Sequence, residues 1–289
     1  MNAVFALPKN FLNFALLGLL VGAIPVFAQT PANSPVSNQA SANWAGYVAQ
    51  TDTYSGVGAT WSIPTPSVGT TTRSSADATW VGIGGVSSSD LIQAGTQASV
   101  DNGQVTYEAW YETLPRTQKI IPLVVHGGDS VTVSLKETSS DVWQLTFNNN
   151  TTGQQYQRTI SYASSKSSAE WIEEMPVGVT GASAGYIPLD NFGSAQFVNG
   201  YAVVNGSQET LSQAGAQPLR MVWRGSQALA TPSAVGSDGA SFTVNRSALA
   251  INQTTTRGGG GRGWHRGGRG VSYWSFPMPY SVRVFRFTF

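Results

Sequence analysis

From Ser41 to about Val244 the chain is a succession of short runs in which apolar and polar residues alternate, punctuated by Gly, Asn, Asp and Pro. Alternation with period two sends successive side chains to opposite faces of an extended strand. No stretch here repeats apolar residues at helical spacing; the strongly apolar candidate, Ala15–Ile24, lies near the N-terminus. Nor does a helix begin near Gly185, because Tyr186-Ile187-Pro188 follows and the residue before a proline is pushed towards extended geometry. The candidate strands are Trp44–Ala49, Gly56–Ile63, Ala78–Ile83, Leu91–Val100, Thr106–Thr113, Ser130–Glu137, Val142–Asn148, Tyr156–Ser161, Ala169–Glu174, Ala195–Val204, Met221–Arg224 and Ser241–Val244. About twelve short strands without a convincing long helix predict an all-β fold, an antiparallel sandwich or barrel. The 289 residues suffice for one large domain of this kind or two small ones, and no internal repeat is evident.

The two ends differ from this body. Lys9 supplies a positive charge, Phe11–Phe27 is mostly apolar, and Val26-Phe27-Ala28 resembles a small-residue cleavage site, so residues 1–28 are expected to be a cleaved export signal. Residues 29–40 are rich in Pro, Ser and Asn and read as a flexible leader or short propeptide. The folded domain is expected over 41–250. Residues 251–289 form a Gly/Arg-rich extension containing GGGGRGWHRGGRG, which cannot pack a core and is expected to be a docked or disordered appendage. An outer-membrane assembly signal and an anionic-surface binder are the other readings of this tail. The body is acidic, with nine Lys/Arg against fifteen Asp/Glu from Gln29 to Thr256, whereas the tail from Thr254 has six arginines and no acid.

Composition narrows the chemistry. Cysteine is absent, which excludes disulfides, thiol nucleophiles and Cys-ligated zinc. Only His126 and His265 are present, leaving little room for a histidine metal site. Charged residues are 11% of the chain, against roughly a quarter in average globular proteins. This suits either an exported β protein with Ser/Thr-rich turns or a chain adapted to low pH, where fewer native carboxylates mean less stability lost on protonation. Composition leaves both open.

Chemistry concentrates in two stretches. In Asp90–Glu112 two strands flank Asn102-Gly103, residues that accept the positive φ of a tight hairpin turn. Leu91, Gln93 and Gly95 share one face of the first strand; Glu108, Trp110 and Glu112 share one face of the second, with Tyr107, Ala109 and Tyr111 opposite. In Ser168–Pro176, Glu170, Ile172 and Glu174 share one face, and Trp171 and Glu173 the other. Glutamine, glutamates and tryptophan on adjoining strands suit the floor of a groove. Taken alone, they suit a solvated sheet face better.

Four pieces in order, WVGIGG (Trp80–Gly85), LIQAGT (Leu91–Thr96), YEAWYE (Tyr107–Glu112) and AEWIEE (Ala169–Glu174), resemble the glutamic peptidases of family G1, the eqolisins. The resemblance runs from about Ser41 to about Val244 and does not reach the tail. It implies a bent antiparallel β-sandwich of two large sheets, concanavalin A-like, and an exported, acid-acting endopeptidase. By position, Gln93 and Glu174 match the family's catalytic pair, in which a carboxylate takes a proton from the attacking water and returns it to the leaving nitrogen. A glutamine amide does not titrate; it can accept from the water and donate to the developing oxyanion. The resemblance places Glu108, Trp110 and Glu112 around the pair, Glu112 as a supporting acid and Trp110 as a substrate-side wall, with Trp80 as a further wall residue. Many fungal members have Asp at Gly84, so this chain departs there. No cofactor or metal is implied. The expected partners are polypeptide substrates, met by a monomer without nucleic acid and without membrane insertion once the signal is removed, in a secreted or periplasmic setting.

Two other functions compete. A carbohydrate-active enzyme places two carboxylates across a sugar, which Glu108, Glu112, Glu170 and Glu174 could supply; a noncatalytic module could use the aromatic groove to bind carbohydrate or another ligand. Gly181-Ala182-Ser183-Ala184-Gly185 matches G-x-S-x-G, but a nucleophile elbow needs a following helix and a later histidine, and the later one is His265 in the tail. His126, beside Gly127-Gly128, reads as a turn residue.

Overall fold

A computed structural model describes residues 39–68, 74–180, 183–223 and 227–248. The alternating runs form strands: β1 (Gln39–Ser41), β2 (Trp44–Ala49), β3 (Tyr54–Ser62), β4 (Ser75–Gly84), β5 (Leu91–Asp101), β6 (Gln104–Thr113), β7 (Lys119–Ile120), β8 (Ser130–Ser139) and β9 (Val142–Asn149). Then come β10 (Gln155–Ser161), β11 (Ala169–Glu174), β12 (Val177–Thr180), β13 (Ser183–Tyr186), β14 (Ser194–Val204), β15 (Ser207–Thr210), β16 (Gln217–Trp223), β17 (Gln227–Pro232) and β18 (Phe242–Arg246). No α-helix occurs among the described residues. The all-β expectation is met. The signal and the Gly/Arg-rich extension lie outside the described residues, as do Gly181, Ala182 and Arg224. The sheet begins at Gln39, within the expected leader, where β1 pairs in parallel with β16.

One ladder runs β10-β9-β8-β3-β14-β18-β17-β16-β2-β11-β4-β5-β6-β7, and all its neighbours are antiparallel. It folds back on itself into two layers. β10-β9-β8-β3-β14 faces β2-β11-β4-β5-β6, and β18-β17-β16 carries the ladder from one to the other. Two tryptophans bond across the gap: Trp61 Nε1 on β3 donates to Thr96 Oγ1 on β5 (3.0 Å), and Trp171 Nε1 on β11 donates to the Gly58 carbonyl on β3 (3.1 Å). Satisfying these N–H groups lets the large rings be fully buried. The resulting core holds Trp61, Trp143, Trp171, Phe147 and Phe197 from both layers.

The turns follow their residues. Asn102 and Gly103 both have positive φ (48° and 80°) and close the β5–β6 hairpin. The backbone N–H of His126 donates to Asp129 Oδ2 (2.9 Å), so this histidine is held in a turn. β13 ends at Tyr186 without entering a helix, which removes the serine-elbow reading. At the ladder's two ends, Lys119 of β7 and Arg158 of β10 both lie over the ring of Tyr111, 5.8 and 5.6 Å from its centroid.

Candidate active site

The layers bury themselves differently. β8 and β9 alternate between buried and half-exposed residues, whereas β2 and β11 are buried throughout, and β4 and nearly all of β5 are buried along their length. The second layer carries a separate apolar cluster on its outer face, with Trp44, Trp80, Trp110, Leu91 and Ile172. That face holds Trp80, Gln93, Glu108, Trp110, Glu112 and Glu174.

Register arranges the face in rows across β2, β11, β4, β5 and β6. The first reads Val48, Glu170, Gly82, Gln93, Glu112; the second Gly46, Ile172, Trp80, Gly95, Trp110; the third Trp44, Glu174, Ala78, Gln97, Glu108. Laterally paired residues point to the same side of a sheet. Glycine is required in two of these rows. A Cβ on Gly95 would strike the Thr79 carbonyl and the Cβ and Cα of Trp80, so the glycine of LIQAGT lets β5 lie this close to β4. A Cβ on Gly82 would stand 2.8 Å from Trp80 Cζ3 and 3.2 Å from Glu170 Oε2.

Gln93 is 3% exposed, and its Nε2 donates to Glu112 Oε2 at 2.7 Å. A carboxylate only accepts, so this bond turns the amide nitrogen towards Glu112 and the oxygen away. Glu174 is 6% exposed and accepts from Trp80 Nε1 (2.7 Å) and Asn43 Nδ2 (3.3 Å). Gln93 and Glu174 share a face but belong to different rows, since Glu174 pairs with Ala78 and Ala78 with Gln97, four residues beyond Gln93. The indole of Trp80 links the rows, its six-membered ring against Gly82 and its N–H on Glu174. Trp80 and Trp110 are fully enclosed, and Trp80 supports Glu174 from the floor. Glu108, at the far end of the third row, is exposed.

Several residues here were not visible as site residues in the sequence. Asn43 reaches Glu174 from the turn between β1 and β2. Gln97 is buried in Glu174's own row; its i+4 spacing from Gln93 was the available signal. Glu170, which the sequence placed only in the carbohydrate reading, is buried in Gln93's row. At Gly84 (φ +88°) the departure from the family has a local context: Asp90 Oδ2 lies 2.9 Å from where a side chain would begin, and accepts from Ser164 Oγ and from Ser165 N and Oγ.

Behind Glu174, on the inner face, lie three more buried carboxyls: Asp77, Glu173 and Asp190. Thr79 Oγ1 donates to Glu173 Oε2 at 2.7 Å. Asp190 comes from far along the sequence, carried in by a parallel bridge between Ala76 and Leu189. Burial pushes Glu173 up to about 8; burial and the neighbouring Asp77 push Asp190 up to about 10; burial and Glu173 raise Asp77 well above the carboxylate range. Among the described residues no set of three or more His, Cys, Asp or Glu side chains is arranged to hold a metal ion.

Residues 42–245 match the Peptidase A4 family. The chain is 29% identical over 199 residues to aspergillopepsin-2 from Aspergillus niger, covering 61% of this chain and 69% of that protein. It is 30% identical over 181 residues to scytalidopepsin B from Scytalidium lignicola, covering 60% and 67%. Among solved structures, scytalido-glutamic peptidase with a transition state analog inhibitor aligns at a TM-score of 0.63 and 25% identity, over 71% of this chain and 98% of that one.

Proposed function

Because the chain belongs to the Peptidase A4 family, the glutamic peptidases or eqolisins, it is a peptide-bond hydrolase, and we propose that it is an exported, acid-acting endopeptidase using Glu174 and Gln93. Family membership displaces the carbohydrate reading. One observation carries the assignment. Glu174 and Gln93 are buried on one sheet face, and each is fixed by a neutral or acidic neighbour, Trp80 for the first and Glu112 for the second.

In this reading the substrate backbone crosses the row of Trp80 and Gly95, between the two side chains. The Glu174 carboxylate, held by the Trp80 and Asn43 donors, takes a proton from water as its oxygen adds to the scissile carbonyl. Gln93 donates one Nε2–H to the oxyanion while its other Nε2–H stays on Glu112. Collapse of the tetrahedral intermediate breaks the C–N bond, and the proton on Glu174 passes to the departing nitrogen. Water is the nucleophile and no covalent intermediate forms.

The interior carboxyls support the acid part of the proposal, since neutral forms of Asp77, Glu173 and Asp190 suit their burial. The apolar, cleavage-site-bearing segment at 1–28 supports export.

The test is cleavage of a denatured protein from acid to neutral pH by wild type, Glu174→Gln, Gln93→Ala and Gln97→Ala. Loss of general-base catalysis is expected to cost roughly 10²–10⁴-fold in Glu174→Gln, with a comparable loss in Gln93→Ala and a small one in Gln97→Ala. Activity retained in Gln93→Ala but lost in Gln97→Ala would move the amide role into Glu174's own row. Activity retained in Glu174→Gln would remove the proposed base.

A further inference from the structure

Glu170 has no role in the mechanism above, yet its placement is costly. It is 0% exposed, and apart from the nearby Ser168 hydroxyl neither carboxyl oxygen has a hydrogen-bond partner among the described residues. Leaving a buried polar group unpaired costs on the order of 1–3 kcal/mol, and more when it is charged. A buried carboxyl without a cation is therefore protonated. Burial raises its pKa well above the usual range, the Ser168 hydroxyl moderates the shift, and the charge of Asp90 adds to it.

A second unpaired atom lies in the same row. Gln93 gives its Nε2 to Glu112, but its Oε1 has no partner among the described residues. Between Glu170 and Gln93 stands only Gly82, paired with both. Glu170 Oε2 lies 3.2 Å from the point a Gly82 side chain would occupy, so the carboxyl projects over this bare position towards β5. Two acceptor-bearing groups thus flank a position with no side chain of its own, closed over by the Trp80 ring and Leu91. A proton on Glu170 converts the pair into donor and acceptor.

We infer that Glu170 is a positioning residue for the reaction: its carboxyl O–H donates to Gln93 Oε1 across Gly82 and holds the amide between two acids of opposite hydrogen-bonding role. Glu112 accepts from one end and Glu170 donates to the other. Both of the amide's ends are then fixed, and the second Nε2–H is left to face the groove. Polarising the carbonyl also makes that N–H a better oxyanion donor, because hydrogen bonds in a chain strengthen one another. The inference rests on the assignment of Gln93 to the reaction, and Glu170 is not required to touch substrate.

The test compares kcat and KM on a peptide substrate for Glu170→Leu, Glu170→Asp and Glu170→Gln, each in the wild-type and the Gln93→Ala background of the full chain. In Glu170→Leu the donor is lost, and kcat is expected to fall about 10- to 100-fold with KM within about twofold. Glu170→Asp keeps the acid but withdraws it by one methylene, and should lose about tenfold. Glu170→Gln keeps a donor at full reach and should retain kcat within about threefold. In the Gln93→Ala background the Leu and Asp changes should cost nothing further, because they act through the amide. Unchanged kcat in folded Glu170→Leu or Glu170→Asp would overturn the inference, as would equal losses in the Gln and Asp variants. Should Glu170→Leu fail to fold, the contrast between Gln and Asp decides. Full activity in Gln93→Ala itself would overturn the reading of Gln93, a result distinct from a silent Glu170.

Discussion

The two layers of the sandwich share an inner face and differ in what they do with the outer one. β8 and β9 turn Ser130, Thr132, Ser134, Gln144 and Thr146 to a half-exposed face, where they bond with neighbouring polar side chains or meet water. β11, β4 and β5 turn Glu170, Glu174, Trp80, Gln93 and Gln97 to the corresponding face and keep them buried. A polar group on the first layer costs nothing to place. On the second each must be bonded, protonated or left unsatisfied. The proposed chemistry lies on the layer where polarity is expensive, because a carboxylate or amide held away from water keeps a fixed geometry and a stronger field.

The largest effect should fall on that outer face. Glu174→Ala is expected to remove roughly 10²–10⁴ of the peptidase rate while thermal unfolding stays near wild type; a rate within tenfold of wild type would erase the contrast. Next come the inner faces, where the layers should behave alike. Trp171→Ala and Trp143→Ala should each cost about 3–5 kcal/mol in urea unfolding, and a much smaller cost on one side would show that the core is unevenly shared.

The third prediction concerns pH. Free carboxyls in the unfolded chain ionise near pH 4, but folded Glu173 keeps its proton to about 8 and Asp190 to about 10. Their contribution to stability is full below about pH 4 and is lost as pH rises through the folded values, at up to about 1.4 kcal/mol per pH unit for each proton. Urea midpoints measured from pH 4 to 8 should therefore fall, and Glu173→Gln should flatten the decline; a midpoint that rises with pH would contradict the cluster.

Trp80→Phe removes the N–H that holds Glu174 while keeping a ring, and should lower kcat about tenfold with a stability cost of about 1–3 kcal/mol for the orphaned acceptor. The smallest effect belongs to the solvated layer. Thr146→Val, half-exposed on β9, should leave activity unchanged and shift stability by no more than about 0.5 kcal/mol.

The same contrast governs what the sequence disclosed. Long strands with clear alternation, such as β5, β8, β9 and β14, are legible to within a few residues. The strands that escape notice, β1, β7, β12, β13, β15 and β17, are six residues or fewer, too short for a period to register. Face assignment is local, so Glu170 and Glu174 could be set opposite Glu173 from the sequence. Register is not local. That Glu174 shares a row with Gln97, that Glu170 shares one with Gln93, and that Asn43 and Asp190 arrive from remote turns are outcomes of pairing between distant strands. An indole beside acids suits a cleft wall in the sequence, and the pairing of strands adds that Trp80 is fully enclosed and bonds Glu174.

A sandwich of two separate sheets has four edge strands, each a row of unpaired N–H and C=O groups on which another chain can grow. Here the strands β16 to β18 join the layers, and the main ladder has two ends, β7 and β10. One is two residues long, and both bring a cation to the same tyrosine ring. An incoming strand at either end would meet a charged side chain and have to pull it from Tyr111. For a peptidase, whose substrates are polypeptides, this keeps peptide backbone from adding to either end of the main ladder.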